Sequence, residues 1–167
     1  RAPSHAMELP VELSRRGIPF LIPRGLRFFA QAHVKDLVAQ LRFVANPKDS
    51  TAFLRFACLL PKVGEKTAIK LLRIANEIAE GNSSSICEVL GDEKVLGKVP
   101  KDAKEDWLSM SETMSQIHEV ATNSSPSVVV EEAISGWYHF YLRSTYENWP
   151  RREEDLESLV DFASKHE

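Results

Sequence analysis

The chain has 167 residues, of which 43% are apolar and 27% charged, a balance typical of soluble globular proteins that excludes disordered and collagen-like chains. It contains neither an apolar run near the roughly 20 residues of a membrane span nor a basic-then-apolar leader, so we expect a cytoplasmic protein without a membrane partner. Residues 1–75 form a basic part, with 13 Lys and Arg against 5 Asp and Glu, and residues 76–167 form an acidic part, with 8 Lys and Arg against 19 Asp and Glu. This distribution favours either an anionic partner for the basic part or pairing between the two parts.

The first predicted elements are a short helix and an extended segment. Pro10 would remove a hydrogen bond inside a helix, so we expect the helix to begin there, after an irregular turn, and to end at Gly17. Residues 18–22, with the sequence IPFLI, form the one convincing extended run, closed by residues 23–25. Because no second β-rich segment follows, this run is either a linker or the partner of a strand outside the chain.

Helices are predicted over most of the remaining chain, because apolar residues recur three and four positions apart. One such stripe consists of Val34, Leu37, Val38, Leu41 and Val44, and another of Ile69, Leu71, Leu72, Ala75, Ile78 and Ala79. Further helices are expected over 84–90, 101–122, 127–144 and 152–165, the last two opening near Pro126 and Pro150, since proline suits a helix start. The predicted class is all-α.

The sharpest local signal is the sequence LLPKVGEKTA at residues 59–68, between a helix predicted to end near Cys58 and the next helix. It looks like a helix-hairpin-helix motif, in which backbone N–H groups and the helix dipole hold a nucleic-acid phosphate. Val63 is expected in the core. The predicted DNA-binding residues are Pro61, Lys62, Val63, Gly64, Glu65, Lys66, Thr67 and Lys70, with Arg24, Arg27 and Lys35 as further candidates. The alternative is an ordinary helical hairpin with its lysines in solvent.

Several short motifs resemble the UvrD/Rep/PcrA family of superfamily 1 DNA helicases. The family patterns G-I-P-[YF], G-x-[RK]-F-[FY] and E-I-K-D correspond here to residues 17–20, 25–29 and 33–36, at the expected spacing before the hairpin. The stretch 151–159 is similar to the family's R-x-E-N-L-E-E-L helix. This sequence departs from the family in having His33 where Glu is usual and Lys62 for the first glycine of the hairpin.

The resemblance implies a motif IV region and linker strand at residues 1–23, followed by an incomplete helical 2B-like subdomain at 24–167. In that family the 2B subdomain contacts duplex DNA, works beside the other helicase subdomains and modulates the ATP-driven motor. Arg1 matches the arginine that reaches the ATP γ-phosphate, so ATP and Mg²⁺ are implied for the parent protein. The chain has no G-x-x-x-x-G-K-[ST] loop, so we expect no catalytic residue, cofactor or ATP hydrolysis in it.

Two other classes of function stay open: a stand-alone helix-hairpin-helix DNA-binding or repair module, and a protein-interaction domain that uses the acidic C-terminal part.

Cys58 and Cys87 are expected as buried, reduced residues. Among the remaining candidates, His118 and His139 lack partners at metal-ligand spacing. Core positions are predicted for Phe28, Phe29, Trp137, Tyr138, Phe140 and Tyr141, and a solvated helix start for Glu153, Glu154, Asp155 and Glu157.

Overall fold

The computed structural model describes residues 26–165, and within that range it contains ten α-helices, one 3₁₀ turn and no strand. The helices are α1 (Leu26–Phe29), α2 (Ala32–Ala45), α3 (Ser50–Ala57), α4 (Glu65–Asn82), α5 (Ile86–Val89), α6 (Glu93–Leu96), α7 (Lys104–Asn123), α8 (Pro126–Ser135), α9 (Trp137–Thr145) and α10 (Trp149–Ser164). The all-α prediction is confirmed for this range. Predictions for residues 1–25, including the helix from Pro10, the extended run, Arg1 and Arg24, lie outside the described residues.

The first half of the core is built from α1 to α4, which pack in sequence order. Val34 and Leu37 of the predicted stripe are fully buried, and the rest of that stripe is half-buried. A cluster of three phenylalanines, Phe43, Phe53 and Phe56, joins α2 to α3, with ring centroids 5.2–5.8 Å apart. Phe28 and Phe29 are buried as predicted.

Helix α7 supplies the centre of the second half. One face of α7 is buried against α5 and α8 through Trp107, Met110, Met114 and Ile117. A 3₁₀ turn, Lys101–Ala103, precedes α7, so the predicted helix over 101–122 starts later than expected.

Cys87 of α5 is buried, which raises the pKa of its thiol to about 11, whereas Cys58 is only half-buried. Helix α6 was not predicted.

The predicted helix over 127–144 is wrong as a single element, because the chain breaks at Gly136 into α8 and α9. A Cβ on Gly136 would lie 2.2 Å from Cγ2 of Thr113 in α7. The Thr113 hydroxyl instead accepts a hydrogen bond from the backbone N–H of Trp137 at 3.0 Å. The glycine at the break therefore lets α7 approach the chain closely, and the Thr113 hydroxyl of α7 satisfies the first backbone N–H of α9. Both predicted proline starts are confirmed, at Pro126 and Pro150.

A row of buried polar side chains on α2 connects the basic and acidic parts of the chain. Three hydrogen bonds cross this seam: Trp137 Nε1 donates to Gln40 Oε1 at 2.8 Å, Tyr138 Oη donates to Asp36 Oδ2 at 2.9 Å, and His33 Nε2 lies 3.2 Å from Asp155 Oδ2. Burial raises the pKa of both Asp36 and Tyr138. The two parts thus contact each other through specific buried hydrogen bonds, which are not pairs of a basic with an acidic side chain; pairing by charge between the two parts stays a prediction.

Several predicted side-chain environments are wrong. Ile69 was placed on a buried stripe, but it is 53% exposed, and Phe140 is 68% exposed rather than in the aromatic core. Asp155 was placed in a solvated helix start, but its carboxylate is buried against α2. In each case the helical period is right, and the packing of neighbouring helices decides which residue of the turn is covered.

Candidate nucleic-acid interface

The turn between α3 and α4 is a compact hairpin held by backbone hydrogen bonds. Leu59 and Leu60 donate N–H groups to the last carbonyls of α3, and Val63 N–H donates to Leu60 O at 3.2 Å. Leu60 and Val63 are both buried, with Val63 4% exposed. The predicted anchoring of the hairpin by Val63 is therefore confirmed.

The N-terminus of α4 is open to solvent and lacks a side-chain cap. Gly64 is the N-cap residue, in extended conformation, and no side chain accepts a hydrogen bond from the first N–H groups of the helix. A Cβ on Gly64 would meet no atom within 4 Å. Unsatisfied N–H groups and the positive end of the helix dipole at an uncovered position can hold an anion such as a phosphate.

Cationic side chains surround this helix start. Lys62, Lys66 and Lys70 are exposed, and among the described residues none of them forms an ion pair. Lys66 and Lys70 are four residues apart and so share one face of α4. Arg73, which sequence reasoning missed, lies three residues further along that face and is also exposed. Its spacing from Lys66 and Lys70 was the signal that could have identified it.

Two other basic side chains near the hairpin in sequence, Arg42 and Arg55, have acidic partners. Arg42 Nη2 lies 2.8 Å from Asp49 Oδ2, and Arg55 Nε lies 2.9 Å from Asp36 Oδ1. Arg55 in addition donates to the carbonyl of Ala32. Within the part of the chain that the structure describes, Lys62, Lys66, Lys70 and Arg73 have no ion-pair partner, so they contribute unpaired positive charge to this region.

Of the remaining predicted contacts, two lie on other helices and three in the hairpin or the first turn of α4. Arg27 is exposed on α1, and Lys35 is half-buried on α2. Pro61 and Glu65 are exposed beside the hairpin lysines, and Thr67 is half-buried. The hairpin and the start of α4 thus hold most of the predicted contact residues, whereas Arg27 lies on α1 and Lys35 on α2.

Lys62 has a left-handed backbone conformation, with φ of 61°. It occupies the position where the family pattern has the first glycine of the hairpin. Glycine adopts this region freely, whereas a residue with a Cβ loses about 1–2 kcal/mol there. Ser83, the C-cap of α4 with φ of 53°, is the other non-glycine residue with positive φ in the described range.

His33, the other departure from the family pattern, lies in a buried cluster with two residues of α10. Arg152 Nη1 lies 2.9 Å from His33 Nδ1. Because Arg152 can only donate, His33 is neutral and its Nε2–H donates to Asp155.

We expect the folded chain to lose stability as the pH falls from 7.5 to 5.5. Burial and the charge of Arg152 lower the pKa of His33 below its ordinary 6.5, and Asp155 offsets this only in part. At His33 the unfolded chain therefore binds more protons than the folded chain below about pH 6.5. The contribution of His33 is complete above about pH 6.5 and is lost as the pH falls through the folded-state pKa, at no more than about 1.4 kcal/mol per pH unit.

Urea unfolding at several pH values measures this slope. The control is the double substitution His33→Glu with Asp155→Asn, which keeps a carboxylate beside Arg152 and removes the imidazole. Its profile should be flatter between pH 7.5 and 5.5. An identical slope in this control would exclude His33 as the titrating group.

The described residues hold no metal-binding group of three or more His, Cys, Asp or Glu side chains. His139 has an acidic partner that the sequence spacing did not reveal, since its Nδ1 lies 2.8 Å from Glu153 Oε1 of α10. Across the described residues, no helix combines the length and the apolar character that crossing a membrane requires.

Comparison with known proteins identifies the family. Residues 1–95, more than half of the chain, match the family model of the UvrD-like helicase C-terminal domain. The chain is similar to DNA helicase II of Salmonella typhimurium and of Escherichia coli, each 26% identical over 164 residues, which cover 96% of this chain and 22% of the relative. It is also similar to the ATP-dependent DNA helicase Rep of Escherichia coli, with 46% identity over 43 residues, 26% of this chain and 6% of Rep. The chain spans about a fifth of the length of DNA helicase II, and it belongs to the family of UvrD-like helicase C-terminal domains.

Proposed function

We propose that this chain is the duplex-contacting 2B element of an ATP-dependent DNA helicase and that its hairpin holds a phosphate of the DNA backbone. The observation that carries the proposal is the N-terminus of α4, which no side chain caps, beside Lys62, Lys66 and Lys70, which form no ion pair with another described residue. Contacts of this kind position a protein on DNA without reading bases, so the binding is independent of sequence.

Family membership supports the same assignment. The relatives named DNA helicase II and ATP-dependent DNA helicase Rep are about five times longer or more than the part matched here. We propose that the ATP- and Mg²⁺-dependent motor lies in sequence that this chain does not contain, with Arg1 as its contribution to the nucleotide site. The chain itself then regulates and positions the motor on the duplex, and it hydrolyses no ATP alone.

We expect the chain to bind duplex DNA weakly and with a salt dependence set by two or three phosphate contacts. Each contact contributes about −0.9 to the slope of log K against log salt, so the slope should be about −2 to −3. The double substitution Lys66→Glu with Lys70→Glu should lower affinity at least about tenfold at low salt, since each change replaces an attraction by a repulsion. Fluorescence anisotropy of a labelled duplex measures both quantities.

The matched control is Lys101→Glu with Lys104→Glu, which makes the same change in net charge at two exposed lysines, one in the 3₁₀ turn before α7 and one at the first position of α7. This control should keep most of the affinity of the parent chain, and both variants should keep its helical circular dichroism. If the two double variants lose affinity equally, only net charge matters and the hairpin is not the site. No affinity for any duplex would favour a protein-interaction domain.

A further inference from the structure

We infer that a polar cleft between the start of α2 and the start of α10 binds a small phosphate-bearing ligand through two arginines. The cleft has a volume of about 310 Å³ and is lined by Gln31, Asn148, Arg151, Arg152 and Asp155. Gln31 directly precedes α2, and the other four lie at the start of α10 or in its first two turns. The cleft therefore opens at the seam between the basic and acidic parts of the chain, and the inference does not depend on the hairpin.

The guanidinium of Arg152 is held in place by three neutral groups. Its Nε donates to Asn148 Oδ1 at 2.9 Å, and its Nη1 donates to His33 Nδ1 at 2.9 Å. Its guanidinium carbon lies 3.8 Å from the centroid of the Tyr146 ring. The two hydrogen bonds use only part of the N–H groups of a guanidinium. The others have no acceptor among the described residues, so a ligand in the cleft can bind a donor that is already oriented.

The positive charge of this cleft is not balanced by ion pairs within the described part of the chain. Arg151 is exposed and Arg152 half-buried, and neither forms an ion pair with a described residue. Arg143 of the neighbouring helix α9 differs, because its Nη2 lies 3.7 Å from Glu153 Oε2. Arg151 and Arg152 also occupy the first turn of α10, which holds no acidic residue, although the helix dipole favours anions there. A bound anion would offset this charge.

The lining favours a phosphate over a carboxylate as that anion. Guanidinium groups bind the oxygens of both anions. A phosphate offers more oxygens than a carboxylate, enough for both arginines and the amide of Gln31 at once. The described lining also contains the carboxylate of Asp155, which repels anions but can accept a hydrogen bond from the O–H of a phosphate.

The size of the cleft indicates a small ligand. Its volume of about 310 Å³ is near the lower end of the range for small-molecule sites, about 300 Å³. A double helix is far too wide to enter such a space. The phosphate is therefore either free in solution or carried by a molecule the size of a mononucleotide.

Isothermal titration calorimetry of the full chain tests the site, with inorganic phosphate and deoxyadenosine monophosphate as probes. Both probes should bind, and deoxyadenosine, which lacks the phosphate, should not. Tighter binding of the monophosphate would identify a nucleotide as the ligand, and tighter binding of inorganic phosphate would identify the free anion.

Two variants from opposite sides of the cleft locate the binding. Arg151→Gln should lower the affinity for both probes about five- to tenfold, because a charged donor is lost. Gln31→Ala should lower it about two- to threefold through the loss of a neutral donor. Arg143→Gln is the matched control: it makes the same change in charge at an exposed arginine outside the cleft and should bind like the parent chain. All three variants should keep the helical circular dichroism of the parent.

The outcomes separate this inference from the proposed function. The Lys66 and Lys70 double variant should keep its affinity for inorganic phosphate, and Arg151→Gln should keep its affinity for duplex DNA. Loss of phosphate binding in that double variant but not in Arg151→Gln would place the anion at the hairpin and overturn the inference. Equal losses in Arg143→Gln and Arg151→Gln, or no binding of either probe below about 10 mM, would also overturn it. None of these results would remove duplex binding by the hairpin.

Discussion

Replacing Trp107 with alanine should lower the free energy of unfolding by about 3–5 kcal/mol, the largest effect expected of a single substitution in this chain. Trp107 is fully buried, and its ring meets Phe53 edge-on with centroids 6.2 Å apart. Its Nε1–H donates to the carbonyl of Leu90 at 2.9 Å. The substitution removes the ring, opens a cavity and leaves a buried carbonyl without its donor. Urea unfolding gives the free energy, and Tm should fall by about 10 °C or more.

Two further variants test the reason for that loss. Trp107→Phe keeps a buried aromatic ring but removes the N–H and part of the ring volume, so it should cost less than Trp107→Ala, about 1–2 kcal/mol. Leu108→Ala changes the next residue, which is largely exposed, and should cost less than about 1 kcal/mol. A loss below 1 kcal/mol in Trp107→Ala would mean that α7 does not organise the core as described.

Replacing Gly136 with alanine should destabilise the chain by about 2–3 kcal/mol through overpacking. The new Cβ would lie 2.2 Å from Cγ2 and 2.6 Å from Oγ1 of Thr113. Thr113 cannot easily move, because it is buried and its hydroxyl bonds both Trp137 N and Ser109 O. Thermal and urea unfolding of the variant measure the loss.

Gly81→Ala is the matched control, since Gly81 lies inside α4 and a Cβ there would meet no atom within 4 Å. This control should stabilise the chain by about 0.5–1 kcal/mol, because alanine favours a helix more than glycine does. Adding Thr113→Ala to Gly136→Ala should recover part of the loss, so that the double variant is more stable than the sum of the single effects predicts. Strict additivity would show that Thr113 is not the obstacle.

The hairpin illustrates how much of the candidate site could be predicted. Its glycine, its buried Val63 and its lysines are close in sequence, and the local geometry of a turn followed by a helix determines their placement. The pairing of Arg42 and Arg55 with carboxylates was not predicted. The left-handed conformation of Lys62 is a consequence of packing Val63, and no propensity of lysine indicates it.

The amino-acid sequence by itself determined the helical class, the proline helix starts and the family, because these depend on periodicity and on motifs within short stretches. Only the tertiary structure decided the break at Gly136, the burial of Asp155 and the exposure of Ile69. The polar contacts of α2 join residues 97 to 122 positions apart in the chain, and such partners have no local signature. Burial of a charged or polar group depends on what another helix places against it, so the helix that carries the group cannot reveal its environment.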